Sequence, residues 1–479
     1  MADDRYNLVV IGGGAAGLVS AYIAAAVKAK VALIEQHKLG GDCLNTGCVP
    51  SKALLKTAKV VQMLRNHQKY GIKSANYEID LGQVMDRVQD IIRRIEPHDS
   101  AERYRELGVE VIQGVAQLED AHTVRVGGRV LRTKAVVLAL GGAPFVPPLK
   151  GLEQIRYRTS ENLWEMRELP RRLVVLGAGP IGCEMAQAFG RLGSQVTQVE
   201  MGPRLLPRED ADVAALVEGR FRAEGVRLLP GTRATEVLVR GGEQLLVCET
   251  DSGGRTEVPF DELLIAVGRR ANTQDLDTDK LGIRLNPNGT IQVDDYLSAD
   301  GRGIYACGDA IAPYQFTHTA SHQAWYCAVN ALFSPLKRFK VDYRVIPWVT
   351  FTDPEVANVG LTEQEAQARG IPYEKTLYGL DDLDRAIAES EAFGQVKVLT
   401  VPGKDRILGA NIVGAAAGEM IAEFVAAMKH GIGLNKILGT IHAYPSYVEG
   451  NKYAAGNWKK AHAPEKVLKY LERFHGFRR

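Results

Sequence analysis

The feature that most constrains this chain is a pattern that occurs twice. "NLVVIGGGAAGLVSAYIAAAVKAKVALIE" runs from Asn7 to Glu35, and "RLVVLGAGPIGCEMAQAFGRLGSQVTQVE" from Arg172 to Glu200. Each reads as a buried strand, a tight glycine turn, a helix, and a second strand ending on an acid. The glycines are Gly12, Gly14 and Gly17 in the first copy, and Gly177, Gly179 and Gly182 in the second. In G-x-G-x-x-G the first glycine makes the turn and the second lets backbone N–H groups approach a pyrophosphate. The third lets the helix pack close, and the acid (Glu35 or Glu200) is placed for ribose hydroxyls. A strand, helix and acid around each turn predict two dinucleotide sites, and successive βαβ units predict an α/β fold with parallel sheets.

At 479 residues the chain is too long for one core, so several domains are expected. A formal charge of +2 gives no overall pull toward nucleic acid or membrane. No apolar run reaches the length of a membrane span. The opening "MADDRYNLVVIGGG" is acidic and runs straight into a strand, leaving no room for a secretory signal, so a cytoplasmic location is expected. There a cycling disulfide is more natural than a permanent one. The usual tenants of two such sites are a flavin and a nicotinamide. Glu200 favours NAD(H) over NADP(H): a carboxylate about 5 Å from the extra phosphate, at an effective dielectric near 20, repels it by roughly 3 kcal/mol. Arg204 is the nearby cation, and must cancel that glutamate first.

Two of the six cysteines stand close together, in "GGDCLNTGCVPSK" from Gly40 to Lys52. "CVPSKALLKTA" reads as a helix beginning at Cys48, where a thiolate has a lowered pKa. A zinc site would need a second ligand pair that the spacing does not offer. Cys183, Cys248, Cys307 and Cys327 sit singly in apolar or strand contexts and read as unpaired buried thiols.

These segments, in this order, resemble the class I pyridine nucleotide–disulfide oxidoreductases, which include dihydrolipoyl dehydrogenase, glutathione reductase and mercuric reductase. The thiol segment is similar to the family's redox-active disulfide, with Gly41 beside it. "ALGGAPFVP", containing Gly141, and "IAVGRRANT", containing Gly268, are similar to its two domain-crossing loops. "GIYACGDA" resembles the second flavin motif, in which Asp309 would bind the ribityl chain. "IPWVTFTDPEVANVGLTEQEA" resembles the opening of the dimerisation domain. The resemblance implies a glutathione reductase-like fold: an FAD-binding domain over 1–148, an NAD(P)-binding domain over 149–270, a central segment over 271–345 completing the FAD site, and an α+β interface domain over 346–479. It implies a homodimer whose active sites are shared across the interface. Cys48 would be flavin-proximal and Cys43 the interchange thiol, with Lys52 near the flavin and paired to Glu184.

Two departures matter. Family members usually carry threonine before the first cysteine, and here Asp42 stands there; it would raise the pKa of Cys43, pair with a cation, or point to solvent. In "TIHAYPSYVEGNKYAAG", Pro445 and Glu449 fit the disulfide-reductase frame, but Tyr444 takes the place of the catalytic histidine and His442 lies two residues earlier. Tyrosine, near pKa 10, shuttles protons poorly at neutral pH, and losing a general acid–base costs roughly 10²–10⁴ in rate. The tyrosine resembles mercuric reductases, yet no cysteine follows Cys327 to form their C-terminal pair. His98, in "RRIEPHDSAERY", is a candidate stand-in base, with a surface histidine at a helix break as the alternative.

The expectation is an enzyme passing electrons from a nicotinamide through FAD and Cys43–Cys48 to a thiolate-bound metal ion or a small thiol or disulfide. A lipoyl-group oxidoreductase is the alternative, and a redox-sensing flavoprotein without turnover a further one. The tail, with Val467, Leu468, Leu471 and Phe474 on one helical face, is expected to pack against the interface domain.

Overall fold

The computed structural model describes residues 4–479. The described residues form two compact units: 4–65, 74–202 and 225–342 make the first, and 66–73, 203–224 and 343–479 the second.

The first unit is built on the two predicted βαβ repeats. Strand Arg5–Ile11 pairs in parallel with Val31–Glu35 on one side and Arg129–Leu138 on the other. Leu8, Val9 and Val10 are fully buried, as a central parallel strand covered on both faces requires. The sheet continues through Val109–Gln113 at one edge, while Ile304–Ala306 joins Arg129–Leu138 in parallel. That late strand delivers the second flavin-type motif to the ends of the same sheet. Helix Ala15–Ala26 is alanine-rich, so helix Thr317–Phe333 can approach it closely; Ser20 Oγ donates to the Ala324 carbonyl at 3.3 Å.

The second repeat gives a four-stranded parallel sheet, with Arg172–Leu176 between Gln195–Val199 and Glu262–Ile265, and Arg227–Leu229 at the edge. A three-stranded antiparallel sheet covers residues 232–260. The two loops expected to carry the chain between domains meet as a short antiparallel ladder, Gly142–Pro144 against Arg269–Ala271.

The second unit holds a five-stranded antiparallel sheet ordered 347–350, 355–360, 407–414, 395–400, 374–379. Helices Ala417–Lys429 and Glu449–Ala461 bury Phe424, Met420, Ala454 and Trp458 against it. Helix Glu465–Phe477 forms as expected, but the expectation that it packs is overturned: none of its residues is buried, and Val467 and Leu468 remain half-exposed. Periodicity dictates the helix and its apolar stripe, but no described element lies over that stripe.

Candidate active site

Each glycine loop fits a dinucleotide. A Cβ added at Gly17 would sit 1.7 Å from the Gly12 carbonyl oxygen, and one at Gly182 would sit 2.2 Å from that of Gly177, so helix and turn approach as only glycine allows. Above Gly179 an added Cβ would meet nothing within 4 Å, leaving the backbone open to a phosphate. The strand-end acids are held in matching ways. Glu35 accepts from the N–H groups of Gly13 and His37, both at 2.6 Å, and Glu200 from those of Ala178 at 2.7 Å and Gly202 at 2.6 Å. Each carboxylate thus stands at the mouth of its own loop.

The thiol segment is locked against the first loop. Gly40 and Gly41 both take positive φ, and a Cβ on Gly41 would lie 2.7 Å from the Gly14 Cα. The short helix Gly41–Asn45 follows, and its end is fixed when Asp42's carbonyl accepts from the N–H groups of Thr46 at 2.9 Å and Gly47 at 2.6 Å. Helix Cys48–Arg65 then begins on the second thiol. Both cysteines are free thiols, Cys43 half-buried and Cys48 exposed.

The two thiols titrate unequally. The hydrogen bond from Cys43 is the largest influence on Cys48, which falls to about 6; Thr317, 3.4 Å from its sulfur, and the Lys52 charge assist against burial. The same bond, with burial, drives Cys43 far upward. The Asp42 charge adds to that rise more weakly than these, in the direction its sequence position implied. One turn into the helix, Lys52 Nζ bonds Glu184 Oε2 at 3.0 Å, and that carboxylate is almost fully buried. Lys52 and Glu184, 132 residues apart, meet as expected.

Arg269 is the residue that sequence reasoning missed. Its guanidinium bonds Asp42 Oδ2 at 2.8 Å, Asp309 Oδ2 at 3.2 Å and the Gly142 carbonyl at 2.7 Å. One side chain therefore ties together the thiol segment, both crossing loops and the flavin-type motif. Burial raises Asp309's carboxyl above its ordinary range; Arg269 opposes the rise and Asp42 adds to it. Asp42 therefore pairs with a cation and still raises Cys43. Gly141 and Gly268 both have positive φ, and their carbonyls accept from Asn272 and Phe145 across the ladder. Only "GRRANT" itself hinted at Arg269, and nothing in it named the partners.

The remaining candidates have surroundings of their own. His98 lies exposed in the turn Glu96–Asp99. In the second unit, Tyr444 donates its hydroxyl to Asp384 Oδ2 at 2.9 Å, and this bond holds the phenol above its ordinary pKa. Glu449 accepts from the Ser446 N–H at 3.1 Å and the Tyr453 hydroxyl at 3.3 Å. His442 pairs with Glu423 at 2.8 Å, its imidazole nearly buried. Asp384 and Glu423 carried no signal in the sequence. Cys307 and Cys327 are free and buried, as expected, and the fold also brings the two thiols together across 20 residues, because a strand end and a helix pack there.

The family described as Pyridine nucleotide-disulphide oxidoreductase matches residues 6–324, and its dimerisation domain matches residues 346–455. The chain is 34% identical to a mercuric reductase of Lysinibacillus sphaericus over 458 residues, covering 96% of this chain and 83% of that one. It is 33% identical to a dihydrolipoyl dehydrogenase of Thermus scotoductus over 458 residues, covering 94% and 96%. Among solved structures it is similar to the HOCl-induced flavoprotein disulfide reductase RclA from Escherichia coli, at TM-score 0.83 and 26% identity over 94% of this chain and 99% of that one. A Cu(II) complex of that protein matches with the same TM-score at 27% identity.

Proposed function

The chain belongs to the pyridine nucleotide-disulphide oxidoreductase family, and from that premise we propose which of its residues carry electrons and what receives them. Membership makes it a flavoprotein enzyme that uses FAD and a nicotinamide, with a dimerisation domain that supports a homodimer. Our reading divides it into FAD-binding residues 1–148, NAD(P)-binding residues 149–270, a central segment 271–345 and an interface domain 346–479. Gly12, Gly14, Gly17, Glu35, Gly41, Gly141 and Asp309 hold FAD; Gly177, Gly179, Gly182, Glu200 and Gly268 hold the nicotinamide cofactor.

FAD, held by these residues, would supply two-electron chemistry between the nicotinamide and the Cys43–Cys48 disulfide. Reduction of that bond takes two electrons and one proton, leaving a thiol on Cys43 and a thiolate on Cys48. Cys48 holds the negative charge because it begins a helix, accepts from Cys43 and feels Lys52. Lys52 is itself fixed by Glu184. Cys43 then meets the acceptor. The observation that carries the reading is this unequal pair next to a cation-bearing helical turn.

Two observations bear on the acceptor. A disulfide acceptor requires a proton to leave Cys43 and another to reach the departing thiolate. Tyr444, bonded to Asp384, is a weaker acid than an ordinary phenol and serves that relay poorly. A thiolate-bound metal ion needs sulfur ligands more than proton relay, and the Cu(II) complex of a structural relative favours the same class. A thiolate-ligated soft metal ion is therefore our first reading, with a small thiol or disulfide beside it; the alternative is a lipoyl group. NADH is the preferred donor, because Glu200 opposes the extra phosphate and Arg204 is already donating to Gln364 and the Glu209 carbonyl.

Anaerobic NADH titration should deliver more than one two-electron equivalent, falling to one in Cys48→Ser. Uptake of a single equivalent by the unaltered protein would remove the thiols from the path. Steady-state rates with Hg²⁺ in excess thiol should exceed those with lipoamide and glutathione disulfide. Lipoamide faster by orders of magnitude would install the alternative.

A further inference from the structure

On the reading that Cys43 meets the acceptor, we propose that Asp42 acts as a charge filter there. Its carboxylate, only partly cancelled by Arg269, disfavours anionic acceptors and admits neutral or cationic ones.

The carboxylate is adjacent in sequence to Cys43 and pinned at both oxygens. Oδ1 accepts from the Thr46 hydroxyl at 2.5 Å and Oδ2 from Arg269 Nη2 at 2.8 Å. It remains open to solvent, with 39% of its side chain exposed, while Arg269 is 14% exposed. Arg269 cannot neutralise it fully, because the same guanidinium also serves Asp309 at 3.2 Å. One positive charge is divided between two carboxylates, leaving one net negative charge. Lys52 does not offset that surplus, since Glu184 holds it at 3.0 Å. The thiolate on Cys48 adds a second negative charge when the pair is reduced. An anion approaching Cys43 therefore meets a repulsive field set by residues fixed in the fold, whereas a threonine at position 42 would contribute no charge. At separations near 6 Å in a solvent-like dielectric, one uncancelled charge changes the encounter with a unit anion by about threefold, and more where water is excluded.

The test uses holoprotein reduced with a phosphine and held at alkaline pH, which enlarges the small thiolate fraction of Cys43, and follows alkylation of Cys43 by iodoacetamide and by iodoacetate with peptide mass spectrometry. The quantity read is the ratio of the two rates, neutral over anionic. Asp42→Asn keeps the shape and the acceptor for Thr46, and should lower the ratio by about threefold. Arg269→Gln frees the carboxylate from its cation and should raise it by a similar factor. In the unaltered protein, added salt should draw the ratio toward the value for a free thiol. A purely structural role for Asp42 would change both reagents equally and leave the ratio fixed; that result, or a ratio insensitive to salt, overturns the proposal. The salt arm needs no variant, so a ratio insensitive to salt overturns the proposal even where a substituted chain fails to fold. Because alkylation requires no turnover, failure of NADH to reduce the thiols would sink the electron path without moving this ratio.

Discussion

Cys48 combines three local causes in one atom: a helix start, a neighbouring thiol and a lysine one turn along. Their ranking is testable, because the hydrogen bond from Cys43 outweighs the Lys52 charge. Alkylation of Cys48 by iodoacetamide in the reduced protein should rise with pH through a midpoint near pH 6, since only the thiolate reacts and its folded pKa is about 6. Cys43→Ala should move that midpoint upward by more than Lys52→Met does. A larger effect from the lysine would reverse the ranking. Tyr444 is the opposite case: its character was plain in the sequence, but its partner was not. The phenol is oriented by Asp384, while Glu449 is engaged by Ser446 and Tyr453.

At the scale of elements, the strand–glycine–helix units were the most legible part of the chain. Every step in them is local, from the buried strand through the left-handed turn to the close helix. Gly17→Ala forces a Cβ to 1.7 Å from the Gly12 carbonyl oxygen, so the helix must leave the turn. The variant should purify with most of its flavin absorbance lost. Gly219 offers the control, since it lies in helix Ala211–Ala223 with nothing within 4 Å of its would-be Cβ. Gly219→Ala should keep the flavin and gain roughly 0.5–1 kcal/mol in urea unfolding. The C-terminal helix shows where element-level reasoning ends, because periodicity gives an apolar stripe without saying what, if anything, covers it.

At the scale of the molecule, the chain does not partition in simple sequence order. Residues 203–224 follow the second nucleotide repeat, yet belong to the unit that holds residues 343–479. Buried polar contacts fasten them there. Lys397, with 1% of its side chain exposed, bonds Asp210 at 2.7 Å, Asp212 at 2.8 Å and Glu363 at 3.0 Å. Those three carboxylates have the spacing of a metal site, but the ammonium group occupies their centre. Beside them Glu209 accepts from Trp348 Nε1 at 2.6 Å and Asn411 Nδ2 at 3.1 Å, and burial pushes its carboxyl up to about 7. The sign follows from linkage: the folded state binds this proton more tightly than the unfolded one, so the contribution is full below the unfolded pKa and is lost as pH rises through about 7. Glu209→Gln should flatten the fall in stability between pH 5 and pH 8 by an amount of order 2–3 kcal/mol, read by urea unfolding at both ends. An unchanged slope would remove Glu209 from the pH response.

The sequence alone determined what is written in consecutive residues: two nucleotide-binding repeats, the thiol pair at a helix start, the order of the motifs, and a tyrosine where the disulfide reductases place a histidine. Glycine spacing and strand–helix alternation are short-range constraints, so they survive in a one-dimensional reading. Only the tertiary structure decided which charges meet. Arg269 reaches Asp42 across 227 positions and Asp309 across 40, and Lys397 reaches Asp210 across 187. Such pairings depend on where separate strands and loops end in space, and a side chain's neighbours there leave no periodic trace along the chain.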